Sequence, residues 1–157
     1  MSLRSSAGTL VIAAGLAAAA ACGSSSTGPM DAGLRRLGAE DVRVTVDSVV
    51  GSFDPNTITF AAFTIRNVSA RPVLLSGCIE GLGAGIEREV NGAWQFVGGT
   101  WCWGSDPRHG FPLAAGASME GAIQVSERGR YRVVVRFVAE ADRDVTYDAA
   151  SAPFDAR

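Results

Sequence analysis

From Asp41 onward the chain alternates apolar and polar residues with a period of two. That spacing belongs to strands with one buried face. Val42, Val44 and Val46 alternate with Arg43, Thr45 and Asp47. In residues 58–67, Ala61, Phe63 and Ile65 share one phase and Phe60 takes the other. Either both faces are partly covered there or a bulge shifts the phase. Val73-Leu74-Leu75 is a short third run after Arg71-Pro72, ending at Gly77-Cys78. Asn91-Gly92 separates the runs 86–90 and 93–97, which predicts a hairpin with a type I′ turn. Residues 118–125 give another strand, and residues 130–139 alternate best of all. There Tyr131, Val133, Val135 and Phe137 face one way, and Arg130, Arg132 and Arg136 the other. The run 145–154 supplies a closing strand, while residues 98–112 are irregular and hold Trp101-Cys102-Trp103. Seven or eight short strands, frequent turns such as Asp54-Pro55-Asn56 and no convincing helix predict an all-β, antiparallel β-sandwich.

The first 22 residues follow a different pattern. Arg4 gives a basic start, residues 9–21 are apolar or small, and Cys22 closes the run. This is the order of a secretory signal. The apolar run is shorter and richer in alanine than the ~20 residues that span a bilayer comfortably. Ala19-Ala20-Ala21-Cys22 resembles the bacterial lipobox, with Ala19 where leucine is commoner. The resemblance implies cleavage before Cys22, acylation of Cys22, and a membrane anchor through that lipid. The alternative is an ordinary signal with a chance cysteine near the cut. Gly23-Ser24-Ser25-Ser26-Thr27-Gly28-Pro29 reads as a flexible tether. Gly23, rather than Asp, follows the cysteine, and by the same resemblance this suggests the outer membrane where a cell has one. The expected organisation is a signal peptide over 1–21, a lipidated tether over 22–40 and one domain over 41–157.

Charge narrows the partners. The 157-residue chain has no lysine and a net charge of -2, and loss of Arg4 with the leader takes it to -3. A weakly acidic chain lacks the clustered positive surface that nucleic acid requires. With Cys22 lipidated, Cys78 and Cys102 remain as a pair in an oxidising compartment, where a disulfide is favoured over two buried thiols. Such a bridge closes a loop of about 25 residues and contributes roughly 3.5 kcal/mol in the chain-entropy treatment.

Phe63-Thr64-Ile65-Arg66-Asn67-Val68-Ser69 followed by Pro72-Val73, the turn Ala114–Ser118 and the strand Gly129-Arg130-Tyr131-Arg132-Val133-Val134 resemble passages of immunoglobulin-like bacterial domains. Among these is the intracellular proteinase inhibitor (BsuPI-like) family. The resemblance spans residues 42–139. It implies an immunoglobulin-like sandwich, and proteinase inhibition as one activity. Ala115 and Ala117 stand where that family usually has Pro and Glu, and the leader and paired cysteines differ from a cytoplasmic inhibitor.

Little in the chain points to catalysis. His109 is the only histidine, and Ser105 and Asp106 beside it do not make a triad by adjacency. One histidine and two paired cysteines do not supply a zinc site. Asp142, Asp144 and Asp148 have the spacing of part of a calcium loop but lack its glycine and terminal glutamate. Gly81-x-Gly83-x-Gly85 leads into a hairpin rather than a helix, so it reads as turning glycine and not as a phosphate cradle. No metal or cofactor is expected, and no enzyme activity. Trp101 and Trp103 either pack on the disulfide or, with Phe111, form a binding patch. Arg130, Arg132 and Arg136 read as a solvated face paired with Glu or Asp. The expectation is a lipid-anchored, extracytoplasmic module of a bacterial envelope with an unidentified protein or glycan partner. The alternatives are a proteinase inhibitor or a sugar- or peptide-binding module using the loop from Trp101 to Phe111.

Overall fold

The computed structural model describes residues 37–51, 53, 58–78, 81–100 and 102–157. The expected leader, Cys22, the turn Asp54-Pro55-Asn56 and Trp101 lie outside the described residues. In chain order the strands are β1 (Val42–Val50), β2 (Thr59–Asn67), β3 (Val73–Leu75), β4 (Gly77–Cys78), β5 (Gly81–Leu82) and β6 (Ala84–Val90). They continue with β7 (Ala93–Gly99), β8 (Phe111–Leu113), β9 (Ser118–Val125), β10 (Gly129–Ala139), β11 (Thr146–Ala150) and β12 (Phe154–Ala156). All described pairings are antiparallel.

The twelve segments reduce to seven lanes and the two-residue hairpin β4–β5. One sheet is β1-β2-β9. The other is built around β10. Along one flank of β10, Ala139–Phe137 pair with β3 and Val135–Tyr131 pair with β6. Between them the Ser76 amide donates to Arg136 O at 2.7 Å. β3, Ser76 and β6 are therefore one lane, with residues 77–78 and 81–83 looped out of it. The next lane is interrupted at the same level: β7 pairs with β6, β8 pairs with β3, and residues 100 and 102–110 make the detour. Along the other flank of β10, β11 and β12 form one lane joined at Ser151, whose amide donates to Val133 O and whose hydroxyl accepts from the Val133 amide. The result is an antiparallel immunoglobulin-like β-sandwich of three lanes against four.

The alternation seen in the sequence decides what lies between the sheets. Val42, Val44, Ala61, Phe63, Ile65, Ile123 and Val125 come from the three-lane sheet. Tyr131, Val133, Val135, Phe137, Ile86, Val73 and Leu75 meet them from the four-lane sheet. Leu37 joins this core just before a 3-10 turn at Ala39–Asp41. The phase break expected around Phe60 falls elsewhere. The bulge is in β1, between Val46 and Ser48, and β2 keeps strict alternation. Phe60 is simply on the outer face, 42% exposed, opposite Val50. The Asn91-Gly92 turn has φ of 54° and 78°, the doubly positive pair a type I′ turn requires.

Residue 37 lies at the pole that also holds the β2–β3, β8–β9 and β10–β11 connections. Asn67, fully buried, ties that pole together. Its Nδ2 donates to Arg71 O at 2.7 Å and to Leu113 O at 3.0 Å, and its Oδ1 accepts from the Ser69 amide and hydroxyl. The Asn91-Gly92 turn marks the opposite pole.

Candidate functional site

The two detours of the four-lane sheet are built against each other. Cys78 in β4 is disulfide-bonded to Cys102 in the second detour, with Cα atoms 5.5 Å apart. Hydrogen bonds reinforce the bridge. The Thr100 hydroxyl donates to Leu82 O at 2.7 Å and accepts from the Ala84 amide at 2.9 Å. The Ser76 hydroxyl donates to Ser105 O at 2.7 Å. Residues 102–110 are thereby laid over the outer face of the sheet, with the 3-10 turn Pro107–His109 against β3 and β10. This cover explains a departure from simple alternation. Val134 and Val138 share the outward phase of the β10 arginines, yet both are buried, Val138 completely.

Trp103 is the detour's contact with the sheet. Gly85 and Gly99 are cross-strand partners beneath it. A Cβ on Gly85 would stand 2.9 Å from the indole ring, and one on Gly99 would stand 2.7 Å from the Trp103 Cβ. The glycines clear the seat for the ring by having no side chain. Gly85 is thus a packing glycine rather than the turning glycine its sequence context suggests. Over this seat the indole lies between two neighbours. Phe96 of β7 stacks at 5.5 Å between centroids with an interplanar angle of 17°, and the Arg136 guanidinium of β10 lies 5.4 Å from the ring centroid.

The same face continues toward the far pole. Glu89, Glu87 and Gly85 alternate along β6, opposite Trp94, Phe96 and Gly99 on β7. Arg132 reaches over Trp94, 4.7 Å from its ring centroid, and its Nε donates to Glu87 at 2.6 Å. Arg130 pairs with Glu89 at 3.2 Å. Arg136 makes a two-point pair with Asp148, at 2.9 and 3.1 Å, which raises the guanidinium pKa above its ordinary value. The expected Arg-acid pairing of this row is present, but Arg132 and Arg136 are half-buried among rings rather than freely solvated. Each arginine–ring contact contributes on the order of 0.5–1 kcal/mol at a partly exposed site.

The structure does not gather the sequence candidates into one patch. Trp103 is on the outer face, whereas Phe111 is the cross-strand partner of the core residue Leu75 and lies on the other side of the sheet, its ring against Gly77. His109 is exposed over 84% of its side chain, with its Nδ1 3.9 Å from Asp106. Asp106 is engaged locally: it accepts from the Arg108 amide and Nε at 2.9–3.0 Å, which holds its carboxyl below the ordinary range. Ser105 takes part through its carbonyl. Asp148 serves Arg136, while Asp142 accepts from the Asp144 amide. Among the described residues no three His, Cys, Asp or Glu side chains gather as a metal site, and no helix is long and apolar enough to cross a membrane. What sequence reasoning missed is the pair Trp94 and Phe96. The signal was present: ring residues two apart in a strand share a face, and Gly85, Gly98 and Gly99 lie in the same hairpin.

No family model matches this chain, and no curated protein matches it. Among solved structures it is similar to the X-ray structure of Northeast Structural Genomics Consortium target SoR45. The identity is 15%, covering 76% of this chain and 87% of that one, with a TM-score of 0.53. At that identity the likeness concerns the fold alone.

Proposed function

We propose that this protein is a lipid-anchored, non-enzymatic binding module of a bacterial envelope, held through Cys22 and binding through the outer face of the four-lane sheet. One observation carries the reading of the face. Phe96 remains 52% exposed after stacking on Trp103, in a row of side chains that ion pairs and ring contacts already hold in place. Ordered side chains around an open ring lose little freedom on binding. The row begins beside the Asn91-Gly92 turn, at the pole away from residue 37, so a tether attached before residue 37 leaves it accessible. The proteinase inhibitor reading ranks second. The residues that carry that resemblance, Asn67 and Tyr131 among them, are buried and engaged in holding the sandwich together.

Two experiments test the proposal. Metabolic labelling with a fatty-acid analogue labels the wild-type chain and not Cys22→Ala; an unlabelled wild type rejects the anchor. A photo-crosslinking residue at position 96 in cells yields an envelope adduct that the same residue at position 45, on the outer face of the other sheet, does not. Equal or absent adducts reject the face.

A further inference from the structure

We propose that the outer face of the four-lane sheet binds an uncharged polysaccharide, with pyranose rings stacking on Phe96 and Trp94. The inference rests on the reading of this face as the binding surface and adds the chemistry of the ligand.

Charge is the first argument. The face carries Arg130, Arg132 and Arg136, and each is matched by an acid: Glu89, Glu87 and Asp148. Among the described residues, no arginine of this row is left to recruit a phosphate or a polyanion, and no carboxylate of it is left to recruit a basic peptide. The complementary ligand is neutral. The mixture of groups is the second argument. A pyranose has an apolar C–H face and a rim of hydroxyls that both donate and accept. Here the exposed Phe96 ring and the half-buried Trp94 ring, one face of it under Arg132, lie among guanidinium donors and carboxylate acceptors at fixed positions. Trp94 and Phe96 are two residues apart on β7, about 6.6 Å along a strand, so neighbouring sugar units of an extended chain could meet successive rings. The third argument disfavours a peptide strand added to the free edge of β7. The β6–β7 register shifts between Ile86 and Glu87, leaving Val97 as an extra residue. A bulge at this point breaks the regular edge that strand addition needs.

The test uses the mature chain from Cys22 onward, as isolated from the envelope, in micelles of a detergent without a sugar headgroup. It is sedimented with particulate cellulose, chitin and β-1,3-glucan in separate arms. The expected result is retention on at least one of the three. Phe96→Ala should weaken that retention by about tenfold or more, as removal of a central aromatic contact does, while Phe96→Tyr restores it. Thr45→Ala on the opposite sheet should leave retention unchanged. The thermal midpoint of Phe96→Ala staying near wild type separates lost binding from lost fold. Retention on none of the three polysaccharides overturns the inference, as does retention indifferent to Phe96→Ala and Trp94→Ala. An adduct from position 96 with all three polysaccharide arms negative leaves the binding face standing and removes the glycan.

Discussion

The two sheets of this sandwich share a core but differ on their outer faces. The three-lane sheet presents Arg43, Thr45, Ser48, Ala62, Thr64, Arg66, Glu120 and Ala122, mostly short side chains, with Val50 and Phe60 exposed together at one end. The four-lane sheet presents three rings, three arginines and three acids, and residues 102–110 cover part of it. The inward faces follow one rule, the period of two. The outward faces follow different rules because only one sheet has interrupted lanes. Interrupting two neighbouring lanes at one level, and crosslinking the detours, adds a third layer without adding a lane to either sheet.

The largest expected effect concerns what the sheets share. Phe63 and Phe137 are each about 1% exposed or less, on opposite walls of the core. Phe137→Ala and Phe63→Ala should each destabilise the domain by about 3–5 kcal/mol, from lost transfer energy and the cavity left behind. Denaturant melts measure this. A loss below ~1 kcal/mol for either would mean that the core does not close around that ring.

A smaller effect belongs to the four-lane sheet alone. Gly85→Ala sets a methyl 2.9 Å from the Trp103 ring, with the closest atoms on a side chain held from both sides. The ring must move or the detour must lift, and overpacking of this kind costs about 1–3 kcal/mol. Indole fluorescence should shift toward the solvent-exposed value in the folded protein, with the Cys78–Cys102 bond still intact. Ser48→Ala, which trims a hydroxyl from the other sheet's outer face, should do neither.

These two tests divide along what was legible in the sequence. Tyr131, Val133, Val135 and Phe137 declared their face because a strand's period is local. The Asn91-Gly92 turn was legible because its dihedral demand rests on two residues. The Trp103 seat was not. It joins residues 85, 96, 99, 103 and 136, and a contact across lanes leaves no period in any one of them. The pairing of Cys78 with Cys102 was readable from their number, once Cys22 is set aside as an expected lipid site. Its consequence, a detour folded back over Val134 and Val138, depends on both lanes breaking at the same height. The alternative reading, a patch joining Trp103 to Phe111, meets a related obstacle: the chain passes from one face of the sheet to the other between them, and nearness in sequence does not report that.

The finest comparison is between two outward arginines. Arg66 of β2 is exposed, opposite Arg43 and Ser118. Arg132 of β10 is half-buried, bonded to Glu87 at 2.6 Å and placed 4.7 Å from the Trp94 centroid. Alternation alone makes both of them surface residues whose removal changes stability by about 0.5 kcal/mol or less. The packing separates them. Arg132→Ala loses an ion pair of about 0.5–1 kcal/mol at this exposure. It also loses a cation–ring contact of similar size, and it leaves Glu87 without that partner beside the rings. A loss of about 1–2 kcal/mol is expected, against 0.5 kcal/mol or less for Arg66→Ala. Arg132→Lys distinguishes charge from shape, since an ammonium keeps the charge but lacks the planar group that lies over indole while donating to a carboxylate. It should recover less than half of the loss. If Arg132→Ala and Arg66→Ala proved equal in denaturant melts, the ring-and-arginine layer would add nothing to stability. The two outer faces would then differ only in what they offer to a ligand.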